Sequence, residues 1–185
     1  MRRRIATLDE VLDFWFGDGM PSRWFDADAA LDEQIRERFE PTWQSAVERE
    51  LDWWTKSAPG ALALAIVLDQ FPLNMYRGQA RAFASEAQAI DVTLAAIAQG
   101  QDLELEKQRL AFLYMPLMHS EKLQHQDLAV QLFDGAELEA NARFARHHRD
   151  LIKRFGRFPH RNAILGRSSD RGERAYLASK EAFTG

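Results

Sequence analysis

Cysteine is absent from the 185-residue chain, which excludes a disulfide scaffold, thiolate zinc ligation and a cysteine nucleophile together, and fits a reducing compartment. Positive charge is not in excess. Lys and Arg number 24 against 28 Asp and Glu, a formal charge of -4, so there is no global basic field to draw in a nucleic-acid backbone. Long apolar runs are missing as well: the longest, Ala61 to Leu68, falls far short of the ~20 residues that cross a bilayer. Met1-Arg2-Arg3-Arg4-Ile5 passes into a helix without the apolar stretch of a secretory signal, and its arginines read as a solvated end. A soluble, cytoplasmic protein that binds neither membrane nor nucleic acid is expected. No segment alternates apolar and polar residues between hairpin turns, so no strand is expected, and no Pro, Gly or Ser tract is long enough to divide residues 1–185 into more than a single helical domain. A His-Glu-x-x-His pair, a phosphate-binding glycine loop and a Gly-x-Ser-x-Gly elbow are all lacking.

What is present is a succession of helix signals. Thr7-Leu8-Asp9-Glu10 has the spacing of a capping box and is followed by an apolar face through Phe16 that stops at Gly17. Asp26 or Asp28 caps a charged helix with Leu31, Ile35 and Phe39 on one stripe, and Pro41 ends it or opens another over about Thr42 to Trp54. After the turn at Ser57-Ala58-Pro59-Gly60, every position from Ala61 to Leu68 is apolar, which predicts a central helix ended by Asp69-Gln70-Phe71-Pro72. Ser85-Glu86-Ala87-Gln88 reads as a second capping box, with Gly100 as the stop. Leu110 to Met118 is apolar, interrupted by Pro116, and Ser120 is placed to cap a helix to about Phe133. A long helix from about Leu138 to Phe155 carries Phe144, His148, Leu151, Ile152 and Phe155 on one stripe, and Asp170-Arg171-Gly172-Glu173 opens a short one. The fold class is all-α, with antiparallel helical hairpins stacked in a bundle or short solenoid.

If consecutive helices alternate in direction, three helix ends share a rim that collects polar residues. These are Asp69, Gln70 and Asn74; His119, Ser120 and Glu121; and Arg157, His160, Arg161 and Asn162. A carboxylate at a helix C-terminus opposes the dipole, so Asp69 calls for a cation, with Arg77, Arg81, Arg161 and Arg167 as candidates. Such pairs fasten loops to a core as readily as they bind a ligand. His148 reads as a hydrogen-bonded core histidine. His119 and Glu121, with Asp127 or His148, have the elements of a metal site but no diagnostic spacing, and neither a metal nor a cofactor is expected. There is also an internal echo: Phe71-Pro72-Leu73-Asn74 with Arg77-Gly78 parallels Phe158-Pro159-His160-Arg161-Asn162 with Gly166-Arg167.

These segments, together with Val11-Leu12-Asp13-Phe14-Trp15-Phe16-Gly17, Arg81-Ala82-Phe83-Ala84, Phe112-Leu113-Tyr114-Met115-Pro116 and His119-Ser120-Glu121, resemble the bacterial domain of unknown function 924 family over nearly the whole chain. The resemblance implies an all-helical, tetratricopeptide-like arrangement and carries no reaction with it. Leu73 departs from the family pattern, which usually has arginine there.

Two functions are compatible with the residues. One is a binding or adaptor module whose rim, comprising Gln70, Asn74, Arg77, Arg81, Glu121, Arg157, Arg161 and Asn162, takes a peptide or a small anionic ligand. The other is a small enzyme that uses Asp69, His119 and His160 as acid–base groups on an anionic substrate.

Overall fold

The computed structural model describes residues 4–183, so the expectation for Arg2 and Arg3 lies outside the described residues. Thr7 caps α1 (Leu8–Trp15) through the expected capping box, and Asp28 caps α2 (Ala29–Val47) by accepting from the backbone N–H of Ala30 and Leu31. Pro41 neither ends α2 nor opens another helix. It sits inside a continuous helix, where its missing N–H forfeits one intrahelical bond while the buried stripe of Leu31, Ile35, Phe39 and Trp43 continues through it. The helix expected over Thr42 to Trp54 is therefore the end of α2, followed by a separate 3-10 turn at Asp52–Lys56.

Ser57 caps α3 (Ala58–Leu68), its hydroxyl accepting from Gly60 N–H at 3.2 Å. A side chain at Gly60 would meet the Trp54 carbonyl oxygen at 2.0 Å, so only glycine lets the chain turn there. Residues 60–68 of α3 are buried all round, and α1, α2, α4 (Gln70–Met75) and α5 (Glu86–Ala98) pack against it. Asp69 ends α3, but Pro72 does not terminate the path. It lies in the first turns of α4, where a missing N–H costs little. The stretch Ala58–Met75 has the length and composition to cross a membrane, with mean hydropathy 1.2, yet 89% of it is buried within the protein as core. Ser85 makes no capping bond. Its hydroxyl instead donates to the Leu68 carbonyl at 2.6 Å and accepts from Trp43 Nε1 at 2.9 Å, tying the end of α3 to α2 and the start of α5. α6 (Lys107–His119) runs through Pro116 uninterrupted.

The chain divides into two compact units, one of residues up to Arg77 with Arg81–Pro116, the other of Gly78–Ala80 with residues from Leu117 onward. In the second, α7 (Leu123–Gly135) packs on α8 (Glu139–Phe155), a 3-10 turn follows at Pro159–Arg161, and α9 (Arg171–Leu177) opens with an Asp170/Glu173 capping box. Ser120 is not the cap of α7. Its hydroxyl accepts from the N–H of Lys122, the residue just before the helix, at 3.1 Å and lies 2.8 Å from His125 Nδ1. The buried stripe of α8 is Ala142, Ala145, His148, Leu151 and Ile152, whereas Phe144 is 56% exposed and stands outside it. The described residues contain helices and turns and no strand.

Candidate functional site

In the first unit the polar residues at the end of α4 are held by carboxylates from α2. Asp32 receives both Nε and Nη2 of Arg77, at 2.8 and 2.9 Å, and Nδ2 of Asn74 at 2.8 Å. That bidentate bond raises the Arg77 pKa above its ordinary value. Glu40 accepts from the Tyr76 hydroxyl at 2.7 Å and lies 3.5 Å from Arg81, whose guanidinium stacks over the Trp43 and Tyr76 rings. Burial, then the Glu40 carboxylate, push the Tyr76 phenol well above its usual range. Asp69 is buried and accepts from Gln70 Nε2. Beside Glu40 opens a cleft of about 570 Å³ lined by Arg4, Ala6, Glu10, Glu33, Arg36, Glu37, Arg38, Phe39 and Pro41.

In the second unit the corresponding carboxylate is Glu121. It receives Nη1 and Nη2 of Arg167 at 2.7 and 2.9 Å and the backbone N–H of Phe158 at 2.8 Å. Burial alone would raise its carboxyl; the Arg167 fork and the Phe158 N–H outweigh that and hold it below the usual range. Arg157 grips Glu173 at 2.7 and 2.9 Å, and with the Asp170 N–H it holds that buried carboxyl at about 2. Arg161 donates to the His119 carbonyl at 2.8 Å and stacks over Phe158.

Residues 11–181 match the model of a family described as bacterial protein of unknown function. The chain belongs to the DUF924 family. A protein of unknown function from Agrobacterium tumefaciens, whose structure is solved, is 40% identical, with a TM-score of 0.88 over 92% of this chain and 96% of that one. No curated protein matches the chain.

Within this DUF924 protein the candidate residues fall into two groups. Asp69, Gln70, Asn74, Arg77 and Arg81 belong to the first unit; His119, Glu121, Arg157, His160, Arg161 and Asn162 belong to the second. Of the arginines considered for Asp69, Arg77 and Arg167 are gripped by Asp32 and Glu121, and Arg81 stands beside Glu40. His148 is a core histidine, as its place on the stripe implies: its Nδ1 lies 2.7 Å from the Phe144 carbonyl, which only accepts, so Nδ1 carries the proton. Burial pushes its pKa down to about 3. His160 is held at about 4, by burial first and by the Arg161 charge second, and its Nδ1 is buried without a hydrogen-bond partner. Among the described residues no group of three or more His, Asp or Glu is arranged to hold a metal ion.

The internal echo of this DUF924 chain has a structural counterpart. In each unit a buried phenylalanine and a proline open a short helical turn, and an asparagine and an arginine follow, the arginine closing on a carboxylate far back in the chain. The separations are nearly equal, 45 residues for Asp32 to Arg77 and 46 for Glu121 to Arg167. Gly78 and Gly166, beside those arginines, have φ of 75° and 66°, the left-handed region that glycine enters without strain. Sequence reasoning missed Asp32, Glu40 and Glu173. Extending the echo back from its arginines would have pointed to Asp32, which stands within one residue of the offset Glu121 has from Arg167.

The clamp makes a prediction. Replacing Glu121 by alanine leaves the Phe158 N–H and the Arg167 guanidinium without their acceptor, and is expected to lower unfolding free energy by about 1.5–3 kcal/mol. Chemical denaturation of the Glu121→Ala variant measures it; a loss under about 0.5 kcal/mol would show that water replaces the carboxylate at no cost.

Proposed function

We propose that this protein is a binding module for short polypeptide segments and that the cleft along α2 is where such a segment lies. The lining of the cleft supports this: Arg4, Arg36 and Arg38 stand with Glu10, Glu33, Glu37 and Glu40 around Phe39 and Pro41. A polypeptide brings amide donors, carbonyl acceptors and both signs of charge to such a lining. A small anion meets more carboxylates than guanidinium groups there. The guanidinium forks of Arg77, Arg157 and Arg167 are already filled by Asp32, Glu173 and Glu121, while within the cleft Arg4 pairs with Glu10 and Arg36 with Glu33. The candidate residues enter the reading through Glu40, which holds Tyr76 and Arg81 at the edge of the cleft. An acid–base enzyme built on Asp69, His119 and His160 has less in its favour, because His160 at about 4 is a weak base near neutral pH.

A tetratricopeptide-like stacking of hairpins and a cytoplasmic location belong to the same reading. The presence of one carboxylate–arginine clamp in each unit supports the first, since stacked repeats present the same local device more than once. The lack of cysteine supports the second.

The test is a thermal-shift comparison of hexapeptides carrying both Glu and Arg with inorganic phosphate and citrate. The peptides are expected to raise Tm by about 2–5 °C at saturating concentration and the anions to leave it unchanged. Glu37→Ala, at an exposed position, is expected to abolish the shift without altering the Tm of the free protein. A shift with phosphate and none with peptide would reverse the reading, as would a shift that Glu37→Ala leaves intact.

A further inference from the structure

We propose that the outer face of α8 is a docking surface for an acidic polypeptide segment that carries a large apolar side chain. Charge divides unevenly along the chain. The second unit holds 12 Lys and Arg against 9 Asp and Glu and the first 12 against 19, so the formal charge of -4 hides one cationic unit. The excess is concentrated on α8, which bears Arg143, Arg146, Arg149, Lys153 and Arg154 against Glu139 and Asp150. Positions 143, 147, 150 and 154 fall on one stripe of a helix and all four are exposed. Arg143 and Arg154 stand about 16 Å apart along it at the rise of an α-helix. Some of these cations are already neutralised within the unit, Arg146 by Asp134 and Arg149 by Asp127 and Asp150. Arg143 and Lys153 have no carboxylate within ion-pair distance among the described residues, and Arg154 stacks only over the Phe155 ring. Those three are left for the carboxylates of a partner.

An apolar contact stands beside the stripe. Phe144 is 56% exposed, and next to it opens a hollow of about 440 Å³ walled by Arg143, His147, Ala182 and Phe183. The hollow is open with the Phe183 ring in place, so a partner side chain enters it without displacing any part of the chain. Arginine and exposed aromatic rings side by side are the composition that protein interfaces concentrate. The mixture of groups favours a polypeptide over other polyanions. Asp150 stands within the stripe and Glu181 borders the hollow, and both repel the continuous charge of a nucleic-acid backbone. A single exposed ring offers little to insert into a bilayer. A polypeptide can place carboxylates opposite Arg143 and Arg154 and an apolar side chain against Phe144.

This surface lies in the second unit, so its test is independent of the cleft along α2. The probe is a fluorescein-labelled heptapeptide with one central Phe among Glu and Asp, titrated with the full chain and read by anisotropy. Binding is expected at low salt and should weaken as salt rises. Arg143→Glu combined with Arg154→Glu is expected to raise Kd about tenfold or more, and Phe144→Ser about threefold or more. Should the double variant fail to fold, Arg143→Glu alone and Phe144→Ser decide. Replacing the Phe of the probe by Ala should weaken binding as much as Phe144→Ser does, and a probe with Lys for every acidic residue should not bind. No binding of the acidic probe, equal binding of the Lys probe, or a preference for oligothymidylate or phosphatidylserine vesicles overturns the proposal. So does a Kd that Glu37→Ala raises and the α8 variants leave unchanged, which would place the peptide in the cleft along α2 instead.

Discussion

Between pH 6.5 and 4.5 the protein is expected to lose several kcal/mol of unfolding free energy, most of it above the pH at which its carboxylates protonate. The origin is the pair of depressed imidazoles. Above pH 6.5 neither the folded nor the unfolded chain protonates His148 or His160, and stability is independent of them. Below 6.5 the unfolded chain takes up a proton at each, while the folded chain resists until about 4 at His160 and about 3 at His148. The unfolded state then binds more protons, and stability falls as pH falls. Each pKa unit corresponds to ~1.4 kcal/mol, so shifts of this direction weigh noticeably against the stability of a small domain, about 5–15 kcal/mol.

The charges around them sharpen the effect. Arg161, Arg167 and His119 oppose protonation of His160 while Glu121 favours it, and His119, His147 and His160 oppose protonation of His148. The carboxyls held low, at Glu121 and Glu173, add their own loss only below about pH 4.5, since their stabilisation is full above the unfolded value. Urea midpoints measured across the range are therefore expected to slope with close to two protons between pH 6 and 4.5. His148→Leu, which keeps an apolar side chain on the buried stripe, should halve that slope. An unchanged slope would mean that His148 is hydrated and titrates normally.

The second large effect is expected at Phe158. Its ring is fully buried and touches His148, His160 and Arg161, and its backbone N–H is one of the three donors on Glu121. Phe158→Ala removes the floor under both imidazoles and should cost about 3–5 kcal/mol at neutral pH. It should also admit water to the two rings and return their pKa values towards 6.5, which NMR titration reads directly. Phe71 holds the matching place in the echo and is equally buried, against Phe14, Trp15 and Phe39. Phe71→Ala should cost a similar amount and leave the histidine titrations unmoved. If both substitutions move them, the effect belongs to general loosening rather than to the ring beneath the imidazoles.

Helix starts were readable in the sequence wherever a side chain satisfies its own backbone nearby. Thr7, Asp28, Ser57 and Asp170 all cap as their spacing implies, because the donor and acceptor are two or three residues apart. Ser85 has the same local pattern but serves Leu68 and Trp43, partners whose proximity only the folded chain creates. The prolines misled for a related reason. Pro41 and Pro116 lose one hydrogen bond each, and the burial of the helix on either side outweighs that loss.

Phe144 was misplaced because it and His148 are four residues apart on one helix, and periodicity alone does not say where the edge of the buried stripe falls. The polar clusters were legible as clusters but not as clamps. Arg77 and Arg157 point to carboxylates 45 and 16 residues away, a relation that composition does not encode.

The division of the chain into two units has an experimental consequence through two residue types. All five tryptophans, Trp15, Trp24, Trp43, Trp53 and Trp54, lie in the first unit, and all five histidines, His119, His125, His147, His148 and His160, lie in the second. Mild acid therefore perturbs one unit, while intrinsic indole fluorescence watches the other. Fluorescence that changes in step with imidazole protonation between pH 6.5 and 4.5 reports that the units unfold together. Fluorescence that stays constant until the carboxylates protonate reports that they unfold separately. The unmodified protein thus carries its own trigger and its own optical gauge of cooperativity.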